Sequence, residues 1–235
     1  MTDHKYIDSH GKALEDYPQP SVAVDTAVLS LDADNELVVL LVRRPSGRGW
    51  ALPGTFLHDR ERLAHAVDRC LQDKANIRGL RPRQLQVFDK PGRDKRGWVL
   101  SVAHIQVVQP HQLESRSSER TTLALARDPG KLPYDHPEIV EYALADLRAR
   151  YVDRPDPDGL LGEEFTLREL RSAHEAVAGH NLDRDAFRRL MEPLIQPTGT
   201  FVNEGRGRPA QKFRRGSPPA RRRRRGQLTM PRDTD

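Results

Sequence analysis

Apolar residues fall in blocks along the chain, and the spacing inside each block predicts an element. "SVAVDTAVLSLD" (21–32) alternates apolar and polar positions, the period of a strand. "ADN" marks a turn, and "ELVVLLVRR" (36–44) predicts a second, more buried strand. "PSGRG" reads as a loop. Within residues 60–76, Leu63, Val67, Cys70 and Leu71 recur at i, i+4, i+7 and i+8, one face of a helix. "QLQVFDK" (84–90) and "GWVLSVAHIQVV" (97–108) predict strands flanking the loop "PGRDKRG", and "TTLALAR" (121–127) another short strand. "HPEIVEYALADLRARY" (136–151) predicts a helix. Strands dominate, with one internal and one late helix, so the order predicts a mixed sheet with helices packed on it.

The pattern then changes. "VDRPDPDGLLGEE" (152–164) has the Pro, Asp and Gly content of a linker. "FTLRELRSAHEAVAG" (165–179) opens with a capping box, Thr166 and Glu169, each satisfying the other's free backbone N–H. Leu167, Leu170, His174 and Val177 form its apolar face, and Gly179 suits the residue past its end. "LDRDAFRRLMEPL" (182–194) starts at Asp183, an N-cap type. Its expected core face is Phe187, Leu190, Met191 and Leu194, and Pro193 stops the regular helix near Glu192. Arg184, Arg188 and Arg189 are left facing outward. "QPTGTFVNEGRGRPAQKFRR" follows: a short strand, a tip with Arg206 and Arg208, and a second strand carrying Lys212, Phe213 and Arg214. Helix, turn, Arg-bearing helix and basic hairpin form the layout of a winged helix-turn-helix, whose second helix fits the major groove.

Charge placement strengthens that reading. Of the net +5, residues 203–225 supply +9, which leaves −4 for the rest. A mildly acidic body with a strongly basic end points to a polyanionic partner, nucleic acid first. Residues 1–20 are polar and Pro-containing, as expected of a flexible arm. "GSPPARRRRRGQLTMPRDTD" (216–235) has the composition of a disordered tail. No apolar signal segment or membrane-length apolar run is present, and Cys70 is the only cysteine, so a reducing, cytoplasmic setting near the nucleoid is expected.

Residues 21–150 resemble a Nudix domain, whose box reads G-x5-E-x7-R-E-U-x-E-E-x-G-U with U aliphatic. Aligned on "LPGT", Thr55 stands at the first glycine, Glu61 at the first glutamate and Arg69 at the arginine. Cys70 replaces the next glutamate, Leu71 fills the aliphatic position, Asp73 and Lys74 replace the paired glutamates, Asn76 replaces the second glycine and Ile77 closes the box. In an active box the carboxylates hold Mg²⁺. A thiol suits a hard cation poorly and an ammonium repels it. Positions 70, 73 and 74 are expected to project to one shared patch, now unable to bind metal. Neither a metal nor a cofactor is expected.

The two halves together resemble the Nudix-related transcriptional regulators over about residues 21–214. The resemblance rests on "FDKPGRDKRGWVLSVAHI", "YDHPEIVEYALADLR" and "FTLRELRSAHEAV…LDRDAFRRLM…PTGTF…GRGRPAQKF". It implies an α+β protein: a Nudix-type mixed sheet with packed helices (21–151), a linker (152–164), an α/β winged helix-turn-helix domain (165–215) and the tail. It implies a dimeric repressor of operator DNA that controls NAD synthesis or salvage and responds to ADP-ribose or a related nucleotide. Working hydrolysis of such nucleotides, or control of sugar-metabolism genes, are the alternatives. The expected DNA contacts are Arg184, Arg188, Arg189, Arg206, Arg208, Lys212 and Arg214. The expected ligand contacts are Arg43, Arg44, Phe88, Arg93, Asp94 and Arg96, with Trp50 and Trp98 as further stacking candidates. The lost box glycines at Thr55 and Asn76 raise the expectation of a closed cleft.

Overall fold

The computed structural model describes residues 6–203 and 209–216. The predicted mixed sheet forms. β1 (Ser21–Leu31) runs parallel to β6 (Val99–Val107), and β5 (Arg83–Phe88) lies antiparallel on the far side of β6. β2 (Leu37–Arg43) pairs antiparallel with β1, and β7 (Thr121–Leu125) pairs with β2. Two short strands escaped the sequence pattern: β3 (Trp50–Ala51) on β2 and β4 (Gly54–Phe56) on β1. They are too short to show a period.

Strand β1 changes partner along its length. Leu29–Leu31 pair with β2, whereas Ala23–Asp25 pair with β4. β1 and β2 therefore diverge, and a cleft opens where they part.

The alternation in β1 suggests one solvated face, yet from Ala23 onward the strand is buried on both faces. Helices cover both sides. Ala27, Leu29 and Leu31 pack with α2 (His136–Arg150) through Ile139, Val140, Ala143, Leu144 and Leu147. Val24 and Val28 pack with α1 (Leu63–Ala75) through Ala66, Val67, Leu71 and Ala75. Each such buried Leu or Ile contributes roughly 1.5–3 kcal/mol. The polar residues left inside find partners; Ser30 Oγ donates to Val108 O at 2.9 Å.

The C-terminal elements are β8 (Phe165–Thr166), α3 (Leu167–Ala178), α4 (Arg184–Met191), β9 (Ile195–Val202) and β10 (Ala210–Arg215), with sheet order β8-β10-β9. Their ends obey the sequence signals. Thr166 Oγ1 accepts from Glu169 N–H at 3.1 Å, Glu169 accepts from Thr166 N–H at 2.6 Å, and Gly179 takes φ +79°. Asp183 caps α4 by accepting from Ala186 N–H at 2.8 Å, and Pro193 sits in the 3₁₀ turn that ends it. One expectation fails: Leu190 is 48% exposed, not core. α4 is two turns long, and Phe187 and Met191 already fill its inward stripe.

Helix α3 packs two ways. Leu170 joins Phe165, Phe187, Met191 and Ile195 in a small local core, while Ala173 and Val177 join the large core with α2. Residues 152–164 carry no helix or strand, as a linker composition suggests, but Asp156 and Leu160 within them are fully buried. The arginines at 206, 208 and 221–225 lie outside the described residues.

Candidate functional site

The cleft beside β1 has a volume of about 390 Å³. Arg43, Arg44, Arg93, Asp94 and Arg96, all predicted from sequence, line it. It is open, contrary to the expectation drawn from the lost glycines. Asn76 adopts φ +58°, the left-handed conformation that asparagine tolerates and that a glycine there would supply. Thr55 lies in strand β4, where no glycine geometry is required. Gly54 is the close approach instead: a Cβ there would meet Asp25 Oδ1 at 1.9 Å.

Asp25 anchors the floor. Ser101 Oγ donates to Asp25 Oδ2 at 2.6 Å, and His136 Nε2 lies 3.3 Å from Oδ1. His136 Nδ1 accepts the Leu52 amide at 2.9 Å, which leaves the ring proton on Nε2, facing Asp25. Burial pushes the Asp25 carboxyl up, but His136, Ser101 and Arg93 together hold it below its usual range. Arg93, itself buried, donates from Nε to Asp135 at 2.6 Å. Its Nη2 stands 3.7 Å from Asp25 Oδ2 and has no hydrogen-bond partner.

Nearer the mouth, Arg96 pairs two-fold with Asp94, Nη2 to Oδ2 at 2.6 Å and Nε to Oδ1 at 3.0 Å. That pairing holds the Asp94 carboxyl below its ordinary value. The Arg96 guanidinium lies 5.0 Å from the Phe56 ring centroid and 5.3 Å from that of Tyr134. Arg43 and Arg44 have no acidic partner among the described residues.

Three aromatic candidates are displaced from this site. Phe88 is buried in the core, edge-on to Tyr142 at 5.7 Å, because the end of β5 turns inward there. Trp98 is 52% exposed outside the cleft, and Trp50 packs partly on the main core. Phe56 and Tyr134 stand in the cleft instead. Neither they nor Asp25 and His136 stand out in the sequence as site residues, although Tyr134 and His136 fall in the "YDHP" stretch.

The box keeps its frame and the carboxylates of Glu61 and Asp73, but carries Cys70 and Lys74 at two of its glutamate positions. Arg69 bonds Glu61, the Phe56 carbonyl at 3.0 Å and Thr55 Oγ1 at 3.3 Å. The expected shared patch is absent: Cys70 is 1% exposed, Asp73 faces solvent, and Lys74 reaches into the cleft to donate to the Gly54 carbonyl. Positions 70, 73 and 74 do lie on one side of α1, but the short Cys70 side chain packs inward, Asp73 turns to solvent about 100° from its neighbour, and the long Lys74 side chain extends to the cleft. Burial pushes the Cys70 thiol up to about 11, so it stays protonated. Among the described residues no cluster of three or more His, Cys, Asp or Glu could hold a metal.

On the second candidate surface, Arg184, Arg188 and Arg189 are exposed along α4. Arg188 is paired with Glu192 at 3.1 Å. On β10, Arg214 is exposed and Lys212 is half-buried beside Thr166 of β8. Arg215 serves the fold: it bonds Asp156, the Leu161 carbonyl at 2.8 Å and the Gly162 carbonyl at 3.0 Å. No helix among the described residues is long and apolar enough to cross a membrane.

Comparison with known proteins agrees with both halves. Residues 159–214 match the family described as the NrtR DNA-binding winged helix domain. The chain is 34% identical over 213 residues to the ADPR responsive transcriptional repressor NtrR of Acinetobacter baylyi, covering 85% of this chain and 83% of that protein. It is 30% identical over 128 residues to the ADP-ribose pyrophosphatase of Methanocaldococcus jannaschii, covering 53% of this chain and 73% of that protein. Shewanella oneidensis NrtR complexed with a 27mer DNA superposes with a TM-score of 0.68 at 30% identity, covering 83% of this chain and 93% of that one. The NUDIX domain of the same protein complexed with ADP ribose gives 0.50 at 26% identity, over 63% and 99% of the two chains. The match over most of both chains, the winged-helix match and the eroded box agree, and this chain belongs to the NrtR family of Nudix-related transcriptional regulators.

Proposed function

We propose that this protein is a DNA-binding transcriptional repressor of NAD synthesis or salvage genes. Residues 165–215 hold operator DNA, and residues 21–151 sense ADP-ribose or a related nucleotide without hydrolysing it. One observation carries the sensing half: the cleft is open and basic, yet the box places a buried thiol and an ammonium where carboxylates would hold a metal. Metal-assisted pyrophosphate cleavage needs an ion to polarise the phosphate and activate water. Without that ion the same cleft binds its nucleotide and returns it unchanged.

Each part has a physical role. Arg43 and Arg44 carry uncompensated charge toward a pyrophosphate, for which planar guanidinium forks are well shaped. Phe56 and Tyr134, which line the cleft on either side of Arg96, are the rings nearest to a bound base. Arg184, Arg188 and Arg189 present donors to guanine edges or phosphates, and Arg214, Lys212, Arg206 and Arg208 supply the wing contacts. One such helix reads few base pairs, so a homodimer on paired half-sites supplies the remaining specificity. The nucleotide releases DNA to the extent that it prefers the conformer that binds DNA less well.

The test is fluorescence anisotropy of the full-length protein on duplexes from NAD-synthesis promoters of its own genome, with and without ADP-ribose, alongside Mg²⁺-dependent product release. Specific binding relieved by ADP-ribose, with no product, is the expected result. Binding indifferent to ADP-ribose would remove the sensor, and binding no tighter than to scrambled DNA would remove the NAD assignment. Metal-dependent turnover would favour the pyrophosphatase reading suggested by the second relative.

A further inference from the structure

Helix α2 touches both candidate sites, one at each end. At its start, Asp135 holds Arg93 of the cleft at 2.6 Å, and His136 ties Leu52 at 2.9 Å to the Asp25 floor. At its end, Arg148 Nε donates to the Val177 carbonyl in the last turn of α3 at 3.0 Å. At the C-cap of the helix, Tyr151 Oη donates to Asp156 Oδ1 at 2.5 Å. Asp156 also accepts the Leu160 and Leu161 amides at 2.8 and 2.9 Å and binds Arg215, the last residue of β10. One rigid helix, 15 residues and roughly 22 Å long, thus spans from the nucleotide cleft to the base of the wing.

We propose that α2 is the element that carries the nucleotide signal to the DNA-binding surface, with Arg148 and Tyr151 as its coupling residues. The inference rests on the repressor reading above. Arg93 is the trigger. Its Nη2 is buried without a hydrogen-bond partner, while its Nε holds the carboxylate at the head of α2. A phosphate in the cleft competes with Asp135 for that guanidinium. The head of α2 is then freed to shift, and a packed helix moves as a unit. The far end cannot shift alone: Leu144 and Leu147 share one core with Ala173 and Val177 of α3, and the Tyr151–Asp156–Arg215 chain ties the same end to β10. Residues 152–164 therefore act as a stiff link rather than a loose tether.

Thermodynamic coupling gives the test. Operator affinity is measured with and without saturating ADP-ribose for the wild type, Arg148→Ala, Tyr151→Phe and Arg83→Ala. Arg83 pairs with Asp146 on the same helix but ties it to β5, away from the winged elements. In the wild type, ADP-ribose lowers operator affinity by about 5–150-fold, the usual range of such coupling. In Arg148→Ala and Tyr151→Phe that ratio falls below about 2-fold, while operator affinity without nucleotide and ADP-ribose affinity without DNA stay within about 2-fold of wild type. Arg83→Ala keeps the full ratio. Retained coupling in both end-of-helix variants, or equal loss in Arg83→Ala, would overturn the route while leaving the repressor reading intact. A wild type indifferent to ADP-ribose would remove both. Amide hydrogen exchange of the unmodified protein needs no variant. ADP-ribose should alter protection at Val177 and at 156–161, and changes confined to the cleft would count against α2.

Discussion

Arg69 grips Glu61 at two points, Nε to Oε1 at 2.8 Å and Nη2 to Oε2 at 2.7 Å. The pair closes the loop that leads into α1 and orients the strand–helix junction beside the cleft. Two residues that survive from the Nudix box thus serve the structure, while positions 70 and 74 carry a thiol and an ammonium in place of carboxylates. Arg69 and the His58 amide hold the Glu61 carboxyl down to about 2, against an ordinary value of 4.5. A carboxyl depressed in the folded state stabilises it above pH 4.5, and the contribution disappears as pH falls toward 2. Glu61→Gln should lower the melting temperature at pH 7 and flatten the loss of stability between pH 4.5 and 2. A profile as steep as the wild type's would rule out the pair as its source.

His174 sets a second, higher pH window. The ring lies between Tyr151 at 4.9 Å and Phe187 at 5.1 Å, and burial lowers its value from 6.5 to about 4 against the opposing pull of Asp156. The unfolded chain then takes up a proton that the folded one refuses. Stability is full above pH 6.5 and declines as pH falls toward 4, by about 3 kcal/mol at most. His174→Phe keeps a ring in place and removes the titration, so its melting temperature should change less between pH 7 and 5 than that of the wild type.

The capping box of α3 predicts a local cost. Thr166→Ala removes the acceptor for the Glu169 amide. Stability should fall by about 1 kcal/mol, within the usual 0.5–2 for such caps. Urea denaturation should show an earlier midpoint with an unchanged slope. Operator affinity measured well below that midpoint should stay near wild type, because the cap lies away from the exposed arginines of α4.

On α4, Glu192 occupies Arg188 before any DNA arrives. Arg188 must leave that carboxylate to reach a base or phosphate, whereas no acid pairs with Arg184 or Arg189 among the described residues. Arg188→Ala should weaken operator binding by roughly 1–3 kcal/mol if the residue reads a base. Glu192→Gln should strengthen binding, because it frees Arg188 and removes a negative charge near the DNA. Unchanged affinity in both variants, measured by anisotropy at fixed salt, would take Arg188 out of the interface.

Local chemistry is what the sequence alone determined. Thr166, Asp183, Gly179 and Pro193 mark the helix ends where the structure has them, because capping is decided by residues within one turn. The eroded box was legible residue by residue, and so was the clustering of Arg43, Arg44, Arg93 and Arg96 around one cleft, because they sit at a strand end and in the neighbouring loop. Tertiary structure decided whatever depends on which chain segments meet. Asp25 reads as one polar position of an alternating strand and becomes the cleft floor only when His136, 111 residues later, folds over it. Phe88 and Phe56 are alike as sequence. One turns into the core and the other faces Arg96, because β4 pairs with the diverging end of β1. Leu190 lost its expected place to Phe187 and Met191 on a short helix, and within the linker-like segment Asp156 and Leu160 became buried once Asp156 met Tyr151 and Arg215. Contacts between distant segments leave no period in the sequence, so only packing could choose among them.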